Sequence, residues 1–140
     1  MKEGEAMVCV VDDDMSVRRG LERLLRSAGY LVTTFGSARE FLDRRDPASP
    51  RCLVLDIRMP GQNGLDLQQA LVASGQEIPV VFITGNGDIP MAVRAMKAGA
   101  VDFLAKPFDD KELLDAVREA IDRSDRARQS VAPRRQIAGS

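Results

Sequence analysis

The sequence predicts a single α/β domain on an open, doubly wound parallel sheet of five strands, and three observations carry that expectation. Short, β-branched, unalternating apolar runs recur at Met7 to Val11, Cys52 to Leu55 and Val80 to Ile83, the pattern of strands covered on both faces. Segments of helical period lie between these runs. A length of 140 residues with 44% hydrophobic and 29% charged residues suits one globular unit with its own core, followed by a tail.

The elements follow in order. Strand 1 is Met7 to Val11. Helix 1 keeps Val17, Leu21, Leu24, Leu25 and Ala28 on one face, and Gly29 supplies its stop. Leu31 to Phe35 carries a weaker form of the strand signal. Ser37-Ala-Arg-Glu40 reads as a capping box that opens a short helix to about Arg44. Strand 3 is Cys52 to Leu55, and helix 3 runs from about Gly64 to Ser74. After strand 4, Val80 to Ile83, a fourth helix runs from about Pro90 to Ala98; Asp88 is a candidate cap, Pro90 fits the first turn and Gly99 closes it. Val101 to Leu104 is a second weaker strand. Asp109-Asp-Lys-Glu112 resembles a capping box opening the last helix, whose buried stripe is Leu113, Leu114, Val117, Ala120 and Ile121. Past Ser124 the apolar pattern dissolves, so 6–124 is expected to be the domain and 125–140 a linker or tail.

Right-handed crossovers place helices on both faces of such a sheet. If the chain winds first one way from strand 1 and then the other, the strand order is 2-1-3-4-5 and the crevice lies at the carboxyl ends of strands 1 and 3. Those ends are acidic: Asp12, Asp13 and Asp14 follow strand 1, and Asp56 follows strand 3. Thr84 follows strand 4 and Lys106 follows strand 5, on the same edge. Two carboxylates about 4 Å apart repel by about 4 kcal/mol at an effective dielectric of about 20. A hard cation such as Mg²⁺, which takes carboxylate, carbonyl and water oxygens, would offset that cost. An aspartate oxygen beside such a cation is a candidate phosphoryl acceptor, Lys106 suits a phosphate oxygen, and the Thr84 hydroxyl can donate to another.

Composition excludes several chemistries. There is no histidine, so His-ligated metals, Ser-His and Cys-His nucleophiles and a phosphohistidine on this chain are ruled out. Cys9 and Cys52 lie inside apolar runs and read as small buried hydrophobes. A net charge of −1 gives no basic footprint for nucleic acid. No apolar run approaches a membrane span, and the N-terminus lacks a signal-type segment, so the chain reads as cytoplasmic with no membrane partner.

The segments "VCVVDDDMSVRRGL", "CLVLDIRMPGQNGLDLQ" and "IPVVFITGNGDIPMAVRAMKAGAVDFLAKPF" resemble the receiver domain of two-component response regulators, over about Ala6 to Arg123. The last segment looks closest to the FixJ-type branch of the NarL/FixJ (LuxR-class) regulators. The resemblance implies a flavodoxin-like (CheY-like) (βα)5 fold and a Mg²⁺-dependent switch in which Asp56 accepts a phosphoryl group from a sensor histidine kinase. It implies Mg²⁺, with Mn²⁺ able to take its place, bound by Asp13 directly, by Asp12 mainly through water, by Asp56 and by the Arg58 backbone carbonyl. Lys106 would pair with the phosphoryl oxygens and precede a cis peptide to Pro107. Thr84 and Phe103 would form the switch pair, and the face of helix 4, strand 5 and helix 5 would form a phosphorylation-dependent homodimer. Such a switch transfers phosphate to itself and loses it slowly, and is not a metabolic enzyme. DNA would be reached only through an effector domain that this chain lacks. Arg58 and Asn86 border the site at positions that could tune the lifetime of the acyl phosphate.

Plainer readings stand beside these. A stand-alone receiver, or an interaction module indifferent to phosphorylation, would use the same fold. A nucleotide hydrolase would need a G-x-x-x-x-G-K-[S/T] loop, which is absent, and a flavin-phosphate binder would not place "DDDMS" after strand 1. Asp14 fits a helix cap better than a ligand. Arg18, Arg19, Arg23 and Arg26 read by default as a solvated face, with a kinase-docking surface as the runner-up. Met91 and Met96 read as helix packing.

Overall fold

A computed structural model describes residues 6–44, 50–59, 63–85 and 89–138, with residues 127–138 as backbone alone. Five strands, β1 (Met7–Val11), β2 (Leu31–Phe35), β3 (Cys52–Asp56), β4 (Val80–Thr84) and β5 (Asp102–Ala105), pair in parallel in the order β2-β1-β3-β4-β5. They alternate with α1 (Met15–Ser27), α2 (Ala38–Leu42), α3 (Gly64–Ala73), α4 (Ile89–Lys97) and α5 (Asp110–Ala138). The architecture and strand order are those expected from the apolar runs.

The alternation of side chains along each strand divides the core in two. Val8, Val10, Cys52, Val54, Val81 and Ile83 pack under Leu21 and Leu25 of α1 and Leu113, Val117 and Ala120 of α5. Cys9, Val11, Leu53, Leu55 and Phe82 pack under Phe41 of α2, Leu67 and Leu71 of α3 and Ala95 of α4. Every residue of β3 and β4 is buried, which is why these strands read as unbroken apolar runs. Each fully buried Val, Leu or Phe contributes about 1.5–3 kcal/mol relative to exposure. Both cysteines are buried and free.

Local chemistry sets most helix ends. Asp14 caps α1 by accepting from the N–H groups of Ser16 and Val17, at 2.8 and 3.3 Å. Gly29 and Gly99, the predicted stops after α1 and α4, have φ of +97° and +107°, the left-handed region. Ser37 accepts from the Glu40 N–H as predicted, but Glu40 reaches back to the N–H of Gly36 and not to that of Ser37. At α5 the Asp109 N–H donates to the Glu112 carboxylate at 2.9 Å. A full capping box that the motif reading passed over joins Asn63 and Asp66 at the start of α3. Asp88, the candidate cap of α4, lies outside the described residues.

Two features depart from the apolar pattern. The backbone stays helical to Ala138, so the segment expected as a linker or tail past Ser124 continues α5. Arg51 also forms an ion pair with Asp125, holding this continuation against the start of β3. Met91 is half-buried against the core, whereas Met96 is 39% exposed on α4, beside Ile89 and Val93 at 69% and 45%. Among the described residues no helix is long and apolar enough to cross a membrane.

Candidate functional site

The carboxyl ends of β1, β3, β4 and β5 deliver Asp12, Asp56, Thr84 and Lys106 to one edge of the sheet. Asp56 and Thr84 are the last residues of their strands, one position further than the apolar runs suggest. Their backbones remain in the ladder, where Asp56 is registered with Ile83 and Thr84 with Ala105. The Lys106 N–H donates to the Thr84 carbonyl at 2.8 Å, and the peptide from Lys106 to Pro107 is cis.

Carboxylate oxygens of Asp12, Asp13 and Asp56 lie within 4.8 Å of one another. Asp12 and Asp56 are buried, while Asp13 is exposed at the mouth. Lys106 sends its Nζ to 3.9 Å from Asp12 Oδ2. Asp12 Oδ1 accepts from the Asp14 N–H at 2.9 Å, but its buried Oδ2 has no hydrogen-bond donor. A buried, unsatisfied carboxylate oxygen beside two further carboxylates is the donor set of a hard divalent cation, so the residues present fit such an ion.

Burial and crowded negative charge dominate the electrostatics of this edge. Burial pushes the Asp56 carboxyl up to about 6, the N–H of Arg58 (3.1 Å from Asp56 Oδ1) and the Lys106 ammonium oppose the rise, and the Asp12 and Asp13 charges add to it. Asp12 is raised as well, chiefly by burial, with the Asp14 N–H and Lys106 opposing. Cys52, in the middle of the sheet, is raised chiefly by burial, with neighbouring Cys9 adding to the rise, and takes no part in this edge.

Thr84 is buried, and its Oγ1 donates to the Gly85 carbonyl at 3.2 Å. Phe103 is half-buried on the α4 side and registered with Phe82, two residues before Thr84, so both predicted switch residues share one sheet face. Arg58 lies in the loop after β3, and its N–H donates to Asp56 Oδ1; Asn86 is outside the described residues.

Two residues near the site escaped the sequence reading. Gly64 approaches β3 so closely that a Cβ there would lie 2.7 Å from the Asp56 carbonyl oxygen and 2.9 Å from Ile57 Cα. The Gly64 N–H donates to the Ile57 carbonyl at 2.9 Å, so α3 begins directly against the strand end that carries Asp56. The only available signal was the glycine itself, one residue after the Asn63 cap. Arg18, read as part of a solvated face, is half-buried and donates from Nη1 to the Asp12 carbonyl at 2.7 Å.

The family model of the response regulator receiver domain matches residues 8–118. The chain belongs to that family. Nodulation protein W of Bradyrhizobium diazoefficiens is 56% identical over 126 residues, which cover 90% of this chain and 56% of that protein. The transcriptional regulatory protein FixJ of Azorhizobium caulinodans is 50% identical over 117 residues, covering 84% of this chain and 56% of that protein. Among solved structures, the response regulator StyR superposes with a TM-score of 0.87 at 52% identity, covering 96% of this chain and 68% of that one. FixJ-N superposes with a TM-score of 0.80 at 41% identity, covering 87% and 96%. The receiver thus sits among regulators of the FixJ type, and spans just over half the length of the curated relatives it matches.

Proposed function

We propose that this receiver is a Mg²⁺-dependent phosphoryl switch that takes its phosphoryl group from a sensor histidine kinase onto Asp56. The observation that carries the reading is the convergence of the Asp12, Asp13 and Asp56 carboxylates within 4.8 Å, with the Lys106 ammonium 3.9 Å from Asp12. Asp12, Asp13, Asp56 and the Arg58 carbonyl are the proposed ligands. The ion, Mg²⁺ or Mn²⁺, supplies charge neutralisation for the incoming phosphoryl oxygens.

In the transfer, an Asp56 carboxylate oxygen attacks phosphorus, a P–O bond forms, and the P–N bond to the kinase imidazole breaks with its electron pair leaving on nitrogen. Asp56 needs no general base, because even at about 6 its ordinary form at pH 7 is the carboxylate. Lys106 pairs with a phosphoryl oxygen, shifting from the Asp12 side. Thr84 exchanges its bond to the Gly85 carbonyl for one to the phosphoryl group, and Phe103 turns into the space released. Hydrolysis of the acyl phosphate by water resets the switch.

The output reading is dimerisation through α4, β5 and α5, acting on a DNA-binding effector of the kind FixJ-type regulators carry. Ile89, Val93 and Met96 support it, since they form an exposed apolar stripe at i, i+4 and i+7 along α4. Acetyl phosphate labelling tests the chemistry. Wild-type protein is expected to be labelled in Mg²⁺, and both EDTA and Asp56→Asn are expected to abolish labelling. Full labelling of Asp56→Asn would remove Asp56 from its proposed role.

A further inference from the structure

Arg18 stands outside the ligand set, yet it is the side chain that fixes the backbone of Asp12. The Asp12 N–H donates to the Phe35 carbonyl of β2 at 3.1 Å, and the Asp12 carbonyl accepts from Arg18 Nη1 at 2.7 Å. Asp12 Oδ1 is taken by the Asp14 N–H at 2.9 Å. Three of the four polar groups of this residue are therefore occupied, and the fourth, Oδ2, is buried without a hydrogen-bond donor and faces Lys106. The guanidinium is itself confined. A Cβ added at Gly36 would lie 3.3 Å from Arg18 Nη1, tighter than ordinary van der Waals contact, and 3.5 Å from Glu40 Oε2, whose carboxylate also accepts the Gly36 N–H through Oε1. The β2–α2 turn has room for Arg18 because residue 36 has no side chain.

We propose that Arg18 is a positioning residue of the cation site: by holding the Asp12 carbonyl from α1, it turns Asp12 Oδ2 toward the ion. The inference rests on the Mg²⁺ reading above. It makes a prediction opposite in sign to that of a simple charge effect. A cation close to a divalent site repels the ion, so an arginine acting only through its charge would weaken binding, and its removal would tighten it. A clamp does the reverse, because releasing the carbonyl lets the acidic loop relax away from its ligand geometry. Outer-shell partners of metal ligands typically change affinity by about 10–100-fold, and a partner of the backbone belongs at about the lower end of that range.

The test is calorimetric titration of Mg²⁺ into wild type and Arg18→Met, with thermal melts in EDTA recorded alongside. The expected result is about tenfold weaker Mg²⁺ binding in Arg18→Met, at a temperature where both proteins are fully folded. Should Arg18→Met not fold, Arg18→Gln, which keeps a donor without the reach or the charge, is expected to bind more weakly in the same way. Equal or tighter binding in the folded variant overturns the positioning role, including the case in which only the EDTA melting temperature falls. An absence of Mg²⁺ binding by wild type overturns the metal reading and this inference together, an outcome distinct from unchanged affinity in the variant.

Discussion

Asp56 is a residue through which pH acts on this molecule. Its carboxyl moves from the ordinary 3.8 to about 6 on folding, with burial the main cause. Between those two values the unfolded chain has lost its proton while the folded chain retains it, so stability falls as pH rises through the window and stays lowered above it. The shift corresponds to at most about 3 kcal/mol, and water at the open edge of the sheet reduces this to about 1–2 kcal/mol. Asp56→Asn should therefore stabilise the metal-free protein by about 1–2 kcal/mol at pH 7.5, an advantage that shrinks toward zero at pH 4; urea melts at the two pH values measure it. Mg²⁺ needs the ionised carboxylates, so its affinity should fall at least about fourfold between pH 7.5 and 5.5, as calorimetry would show. At this scale the acidic side chains were legible, because three carboxylates after a buried strand have few uses. Asp14 was correctly separated as a helix cap. Arg18 was not legible: its partner is a backbone carbonyl six residues away, which no pattern of side chains records.

Among the elements, the boundary between β3 and α3 is the most constrained. Gly64 lets the first turn of α3 lie against the strand end that bears Asp56, and the 2.7 Å contact a Cβ would make is with backbone, which cannot swing away. Gly64→Ala should cost about 1–3 kcal/mol in chemical denaturation, the range of overpacking, and should shift the Asp56 and Ile57 amide resonances. At α1, Asp14→Ala removes the acceptor for two N–H groups and should cost about 1 kcal/mol. The strands were legible because parallel, doubly covered strands print as apolar runs, and their ends slipped only where polar Asp56 and Thr84 continue the ladder. The full length of α5 was not legible for the converse reason. Apolar periodicity reports which helical residues pack against the core, and beyond Ser124 the helix continues without that signal.

For the molecule as a whole, the proposed function separates input from output across the sheet. In the proposed function phosphoryl chemistry takes place at the edge formed by β1, β3 and the Lys106 turn, while the exposed stripe of Ile89, Val93 and Met96 lies on α4, beyond Thr84 and Phe103. Light scattering after size exclusion should show a beryllofluoride- and Mg²⁺-dependent dimer that Val93→Lys abolishes while labelling of Asp56 persists. The placement of the site across four strands has a further consequence for synthesis in the cell. A chain elongated only through β4 already carries Asp12, Asp13 and Asp56, but its compensating ammonium, Lys106, lies past β5. Until the ribosome has released that turn and β5 has docked, the acidic nest stays overcharged and the acceptor incomplete. On the proposed function, a half-made chain would not accept a phosphoryl group, and that competence would arrive only with the last strand.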